Sequence, residues 1–231
     1  MRKLALLLVL LPLVAVWVYG CNEMTPTETN PTETATAETD ASFDSRGTGR
    51  GRSSTFDNDA DGWTLIGDGN RAHTGYIPWS VQPSYDPTAG NPGGAIYAVD
   101  SGKGMFFFWH APPKFLRNRM HYGWTLEFDI KIEPASPTFS YPDVLLAGSG
   151  LSLTVNAGPD PTTTDWTHYS VALAYSGGWT LNGTTVLATE DQIRNVLKNP
   201  TVLLIRGEYV SVGGDKGYLD NVRIRPRRHR R

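Results

Sequence analysis

An alternation of apolar and charged residues marks one segment of the chain as a β-strand. Between positions 126 and 133 the two kinds follow one another in the order Leu126, Glu127, Phe128, Asp129, Ile130, Lys131, Ile132, Glu133. Successive side chains of a strand point to opposite faces of its sheet. The pattern therefore predicts a strand with one face on an apolar core and the other in water.

Six other segments are predicted strands, because each is rich in apolar residues and is bounded by Gly, Pro, Asn or Asp. They are residues 95–99, 105–109, 151–155, 169–175, 202–210 and 218–224. The segment 105–109 is apolar on both faces, which predicts a central strand with cover on each side. Many short strands with turns between them predict an all-β fold, an antiparallel β-sandwich.

One short crossover helix is predicted near residue 190. Thr189 and Gln192 have the spacing of a capping box, and the two acidic residues between them favour the positive end of a helix. Ile193, Val196 and Leu197 would form an apolar stripe, and the proline at position 200 prevents the helix from continuing. We expect this helix to pack on the sandwich.

The N-terminal segment is predicted to be an export signal. A basic start is followed by an apolar run, residues 4–18, that is too short to span a bilayer comfortably. A glycine then precedes Cys21, the only cysteine of the chain. This arrangement resembles the lipobox of bacterial lipoproteins, which implies that residues 1–20 are a signal peptide and that Cys21 is acylated.

Two other interpretations of this segment stay open. A single cysteine in an exported chain can form an intermolecular disulfide, and the aromatic residues at positions 17 and 19 suit an apolar anchor that is retained. With lipidation, the protein would be exported and attached to the membrane of the cell envelope, at its periplasmic face or at the cell surface.

After Cys21 the chain divides by composition. Residues 22–52 are rich in Thr, Pro, Glu and Ala, so they cannot bury enough surface to offset the entropy of ordering, and we predict a disordered tether. Residues 53–224 are long enough for one core, contain no cysteine and carry 11 basic against 17 acidic residues, a net charge of −6. The basic tail, residues 225–231, adds five arginines.

Six segments between residues 111 and 222 occur in the order of a known extracellular domain. They are APPKFL at 111–116, YG at 122–123, DVLLAGSGL at 143–151, WTHYSV at 166–171, LLIRGEY at 203–209 and GYLDNV at 217–222. Together they resemble the laminin IV type A domain, also called laminin B. The resemblance implies a secreted, jelly-roll-like antiparallel β-sandwich that is an extracellular module and not an enzyme. Animal members sit among cysteine-rich repeats that this chain lacks, so a role in basement membranes is not implied.

An acidic turn is the first candidate metal site. Asp57, Asp59, Asp61, Gly62 and Asp68 have the spacing of oxygen ligands and glycine in a calcium loop. The flanking residues do not have helical patterns, which argues against a true EF-hand. The alternative is an acidic turn between two strands, with no metal.

Asp220 is the second candidate. Period two in the last strand places Asp220 on the same face as Val222 and Ile224, and a carboxylate on a core face needs a partner. In the jelly-roll sugar-binding modules that the resemblance extends to, a structural calcium commonly joins the first strand to the last. Such a site would bring Asp57 and Asp220 together. The alternative is an ion pair between Asp220 and Arg206 or a backbone cap.

The sequence offers little for catalysis. The histidines at 73, 110, 121 and 168 do not have metal-ligand spacing, and the Gly-Ser-Gly at 148–150 lacks the flanks of a nucleophile elbow. No glycosidase pair can be selected among the carboxylates. We therefore predict no enzymatic activity.

Aromatic side chains are the most plausible binding groups. Six of them lie near predicted loops or strand ends: Trp79, Tyr85, Trp124, Tyr141, Trp166 and Trp179. An exposed ring there could stack on a sugar or contact a protein, although most tryptophans of a sandwich belong to the core.

The basic tail could bind anionic lipid headgroups, polysaccharide or nucleic acid, or be a solvated terminus. We expect no nucleic acid, because the domain itself is acidic.

The sequence as a whole predicts a lipoprotein that displays one non-catalytic β-sandwich on a tether, for adhesion or for binding a glycan or an extracellular protein. The alternative is an accessory module or a cryptic hydrolase that acts on glycans of the envelope.

Overall fold

The computed structural model describes residues 51–68, 78–99, 106–134, 136–137, 140–210 and 214–226. The strands of these residues are β1 (Arg52–Ser54), β2 (Thr64–Asp68), β3 (Pro78–Val81), β4 (Ser84–Asp86), β5 (Ala95–Val99), β6 (Phe106–His110), β7 (Trp124–Glu133), β8 (Val144–Gly148), β9 (Leu151–Val155), β10 (Thr167–Ala172), β11 (Thr180–Leu181), β12 (Pro200–Arg206) and β13 (Lys216–Pro226). The helices are α1 (Pro113–Leu116) and α2 (Glu190–Lys198), with a 3-10 helix at Tyr175–Gly177.

The strands form two sheets in which every neighbouring pair is antiparallel. The first sheet has the order β10-β7-β13-β5-β4, and β1 pairs with β13 beside β5. The second has the order β11-β9-β8-β12-β6-β2-β3. The non-sequential order is that of a jelly-roll-like sandwich, so the predicted all-β fold is confirmed.

The inner faces of both sheets contribute to one apolar core. In β7, Leu126, Phe128 and Ile130 are fully buried, as the alternation predicts. The opposite face of β7 is not uniformly in water, because Asp129 is only 4 % exposed. Asp129 belongs to the candidate site described below.

Strand β6 lies inside its sheet, between β12 and β2. Phe107 and Trp109 join the main core, whereas Phe108 points outward and packs with Leu204 in a small second cluster. Apolar neighbours therefore cover both faces of β6, as its sequence predicts. The predicted first residue of this strand, Met105, lies outside the described residues.

Two predicted strands have different ends in the structure. The segment predicted at 169–175 is strand only as Thr167–Ala172, because the chain then turns into the 3-10 helix, which ends at Gly178 with a φ of +75°. The segment predicted at 202–210 ends at Arg206. There Gly207 passes so close to the ring of Phe107 that a Cβ would lie 2.1 Å from a ring carbon.

The predicted helix is present as α2. Thr189 and Gln192 form both hydrogen bonds of the capping box, and Ile193, Val196 and Leu197 are the buried face. The sequence did not predict α1, a single turn that begins at a proline.

Candidate functional site

The acidic turn between β1 and β2 is held by its own hydrogen bonds. The Asp59 carboxylate accepts a hydrogen bond from the Asp61 N–H (2.6 Å), and the Thr55 hydroxyl donates to Asp57 (2.5 Å). The Lys114 ammonium pairs with Asp61. Because strands and not helices flank the turn, its geometry is not that of an EF-hand. Asp68 ends β2, and its side chain is outside the described part of the structure.

Asp220 lies on the opposite face from the one predicted. Leu219 pairs with Ile130 on the core face, so the next pair, Asp220 and Asp129, faces outward. A bulge between Asp220 and Arg223, with Asn221 at a φ of +52°, then returns Val222 to the core. The period-two argument fails here because a bulge inserts a residue into the alternation.

Although it faces outward, Asp220 is 0 % exposed. Its carboxylate accepts hydrogen bonds from the backbone N–H groups of Asn91 and Asn221, each at 2.6 Å. The pKa of Asp220 is raised to about 6, chiefly by burial and also by the charges of Asp129 and Asp57, against the lowering effect of the two N–H groups. The structure thus places Asp57 close enough to Asp220 for their charges to interact.

Two asparagines and a histidine complete this network. The Asn221 amide donates to Asp129 (2.9 Å) and to the Asn91 carbonyl (2.6 Å), and the Asn91 amide donates to Asp129 (3.2 Å). The Nδ1 atom of His168 lies 2.6 Å from the other oxygen of Asp129. We call the group formed by Asn91, Asp129, His168, Asp220 and Asn221 the carboxylate network.

The carboxylate network and the turn fit a calcium ion only in part. Their carboxylate and carbonyl oxygens are ligands that Ca²⁺ prefers, and a bound cation would favour the ionised form of Asp220, whose pKa is raised chiefly by burial and also by the charges of Asp129 and Asp57. However, no three His, Cys, Asp or Glu side chains of the described residues form a group that could hold a metal ion. A structural calcium therefore stays a prediction.

Arg206 pairs with partners other than Asp220, so the alternative ion pair is wrong. Its guanidinium is fully buried and donates to Asp160 (3.0 Å) and to the backbone carbonyls of Tyr141 (3.1 Å) and Glu208 (2.8 Å). The Asp143 carboxylate lies 3.7 Å away. Arg206 thus ties the end of β12 to the loops before β8 and after β9.

A neutral groove of about 900 Å³ opens beside β9 and β11. Threonine, asparagine and glycine dominate its lining, which includes Thr154, Asn156, Thr180 and Thr185. The hydroxyl of Thr180 lies 3.2 Å from both the hydroxyl and the carbonyl oxygen of Thr154. Asn156 and Thr185 are exposed. The groove therefore presents hydroxyl, amide and backbone groups but no ionised side chain.

The aromatic candidates separate by burial. Trp179 is a core residue, Tyr141 is exposed, and Tyr85, Trp124 and Trp166 are half-buried. Nothing is described for the side chain of Trp79. None of these rings lines the neutral groove.

The Gly-Ser-Gly segment is a hairpin turn and not a nucleophile elbow. Ser149 and Gly150 join β8 to β9 with φ values of +51° and +77°, the pattern of a type I′ turn. The Ser149 hydroxyl donates to the Asn195 carbonyl (3.0 Å), which links the turn to α2.

Comparison with protein families identifies the domain. Residues 108–226, which are 119 of the 231 residues, match the model of the family described as Laminin B (Domain IV). The chain belongs to the laminin B family. The laminin B match covers all six segments on which the resemblance rests, from residue 111 to residue 222.

The relatives of this laminin B domain are much longer proteins. Laminin subunit gamma-1 of Danio rerio is 29 % identical over 178 residues, which are 74 % of this chain and 10 % of the relative. Human laminin subunit gamma-2 is 28 % identical over 173 residues, 74 % of this chain and 13 % of the relative. The chain thus spans about a tenth of the length of these relatives.

A solved laminin structure has the same fold. The L4b domain of human laminin alpha-2 superposes with a TM-score of 0.55 at 16 % identity, over 78 % of this chain and 98 % of that domain.

Among the described residues, no helix is long and apolar enough to cross a membrane.

Proposed function

We propose that the protein is an exported lipoprotein whose laminin B sandwich is a non-catalytic module that binds a glycan or an extracellular protein. The observation that carries this proposal is the family match over residues 108–226, because laminin subunits are extracellular-type proteins. The predicted export signal with Cys21 at its end supports the same compartment.

The neutral groove is the surface that we assign to the ligand. Its hydroxyl, amide and backbone groups match the hydrogen-bonding groups of an uncharged sugar, and its volume is in the range of small-molecule sites. Asn156 and Thr185 are exposed at its rim, so a ligand can reach them without any rearrangement of the core.

The alternative function, a hydrolase, would need two accessible carboxylates. Asp129 and Asp220 are neighbouring carboxylates, but they are 4 % and 0 % exposed and are covered by asparagine side chains and backbone. Their geometry favours a structural role, since neither carboxylate can contact a glycan in this conformation.

The groove assignment predicts a loss of ligand binding when its rim is changed. A double substitution, Asn156→Ala with Thr185→Ala, should weaken binding of the strongest ligand on a glycan and extracellular-protein array by about tenfold, because each lost hydrogen bond contributes about 0.5–1.5 kcal/mol. Thr162→Ala with Thr164→Ala, two exposed threonines outside the groove, is the matched control. Equal affinity of both double variants would remove the groove from the proposal.

The lipid anchor predicts that Cys21→Ser releases the protein from membranes. Serine cannot form the thioether through which a diacylglycerol is attached to the cysteine. Labelling with a radioactive fatty acid and membrane fractionation measure the effect, and we expect the variant to lose both label and sedimentation. A variant that keeps its label and still sediments would refute the lipoprotein assignment while leaving the binding module untouched.

A further inference from the structure

A second cleft, of about 350 Å³, lies between α2 and the segment that follows α1. Its polar lining consists of Arg119, His121, Tyr122, Arg194 and Lys198, and no acidic side chain lines it. We call these five residues the basic cleft. Arg119, Arg194 and Lys198 are exposed. Three cationic side chains thus converge on one concavity of a domain whose residues 53–224 carry a net charge of −6.

Two side chains of the basic cleft, Arg194 and His121, are held in place by their neighbours. The Arg194 guanidinium lies over the ring of Tyr122, 3.7 Å from its centroid, and also bonds Glu190 through two nitrogens at 2.8 and 2.5 Å. The His121 ring stacks on Trp124 with centroids 4.5 Å apart. Such contacts reduce the conformational entropy that a ligand would otherwise have to remove.

Three backbone carbonyls near the basic cleft are hydrogen-bonded within the domain. Lys198 is the last residue of α2, where free carbonyls would repel an anion. The Leu197 carbonyl accepts a hydrogen bond from the Met120 N–H (2.8 Å). The carbonyls of Asn118 and Arg119 accept hydrogen bonds from the Arg52 guanidinium, at 3.2 and 3.1 Å.

The sequence adds further positive charge next to this end of the sandwich. The last described residue, Pro226, pairs with Trp124, whose ring stacks on His121. Four arginines and one histidine follow Pro226 in the chain. The residues after Pro226 thus add four arginine charges to the sequence, and their structure is outside the described residues.

We propose that the basic cleft binds an anionic sugar residue of a polysaccharide, through its carboxylate or sulfate group. Arginine and lysine bind such groups by charge-assisted hydrogen bonds, and rings beside a cation suit the apolar face of a sugar. A bilayer fits less well, because the large apolar side chains that are exposed in the described residues, such as Val99 and Val186, lie outside the basic cleft. Nucleic acid fits less well, because the domain is acidic.

Binding at the basic cleft rests on the proposed binding function, but the cleft shares no lining residue with the neutral groove. An experiment can therefore refute ligand binding at one of the two surfaces without refuting it at the other. The test measures binding of the full-length protein to dextran sulfate, to polygalacturonate and to unsulfated dextran at about 0.15 M salt. We expect both anionic polymers to bind, and Arg119→Gln with Lys198→Gln to weaken that binding at least tenfold. The ratio of the two affinities shows whether the basic cleft prefers a sulfate or a carboxylate group.

The matched control removes the same charge from the tail, by Arg230→Gln with Arg231→Gln. We expect this variant to lose less than threefold, and the swap Arg119→Lys with Lys198→Arg to retain binding. Arg119 and Lys198 are exposed, so we expect their replacement to leave the thermal midpoint of the domain unchanged. An unchanged midpoint shows that the variants are folded. Equal losses in the cleft and tail variants would overturn the proposal, as would binding of vesicles rich in phosphatidylglycerol, or of duplex DNA, without binding of either anionic polymer.

Discussion

Replacement of Arg206 by alanine should lower the free energy of unfolding by about 3–5 kcal/mol, because it leaves buried charge without its partner. Arg206 is fully buried, lies 4.0 Å from the ring centroid of Tyr209, and donates to Asp160 and to two backbone carbonyls. Burial already raises the pKa of Asp143, and the charge of Arg206 is one of the effects that lower it. Without Arg206, Asp143 lacks the nearby positive charge that favours its ionised form.

Chemical denaturation with urea measures this change, and a domain of this size should lose about 10 °C in its thermal midpoint. Arg117→Ala is the control, because Arg117 is exposed. Arg206→Lys should also destabilise the domain, since one ammonium cannot replace a planar group that donates in several directions. A loss below about 1 kcal/mol for Arg206→Ala would contradict the structural role that the contacts assign.

The second large effect is a fall in stability as the pH rises through the titration of Asp220. Its folded pKa of about 6 is above its ordinary value of 3.8, so between these values the folded state binds the proton more tightly than the unfolded state does. Stability contributed by Asp220 is therefore complete below pH 4 and is lost towards pH 6. At about 1.4 kcal/mol per pKa unit, the loss is about 3 kcal/mol.

The measurement compares wild type with Asp220→Asn by urea unfolding at several pH values in chelator. The groups that face Asp220 are the carboxylates of Asp129 and Asp57, with His168 behind Asp129, and they stay in both proteins. We expect the stability difference to move in favour of the variant as the pH rises from 4 to 7. Asp165→Asn, which changes an exposed aspartate, should show no such trend.

Calcium provides a second test of the site around Asp220. If a cation is bound between Asp57 and Asp220, calcium should reverse the loss at pH 7, because an ion at about 100 times its dissociation constant stabilises the fold by about 2.7 kcal/mol. The thermal midpoint should then rise by several degrees, and Asp220→Asn should abolish most of that rise. Identical curves with calcium and with chelator would leave the carboxylate network as a set of hydrogen bonds without metal.

Local patterns in the sequence were sufficient for the core strand and for α2. The alternation around Phe128 predicts its buried face because strand geometry requires it, and Thr189 with Gln192 predicts the helix start because both groups of a capping box are close in sequence. The end of β12 was not predicted; there Gly207 lies against Phe107, a contact between residues 100 positions apart that local patterns do not contain.

The candidate site was only partly predictable for the same reason. The structure brings Asp57 and Asp220 into one region, but the sequence did not predict the roles of Asp129, which pairs with Asp220 across the sheet, or of Asn91, whose N–H donates to it. The bulge residue Asn221 donates a hydrogen bond to the carbonyl of Asn91, which is 130 residues earlier in the chain. A single charged residue in a buried strand predicts that a partner exists, but not which one, as the pairing of Arg206 shows.

The central claim is that the laminin B sandwich binds its ligand without transforming it. The most direct measurement incubates the protein with the glycans that it binds on the array, including polysaccharides of the bacterial envelope, and follows bound ligand and newly released reducing ends in the same sample. The account predicts bound, intact glycan at all times. Turnover that is abolished by a single carboxylate substitution would contradict it and would establish the hydrolase alternative.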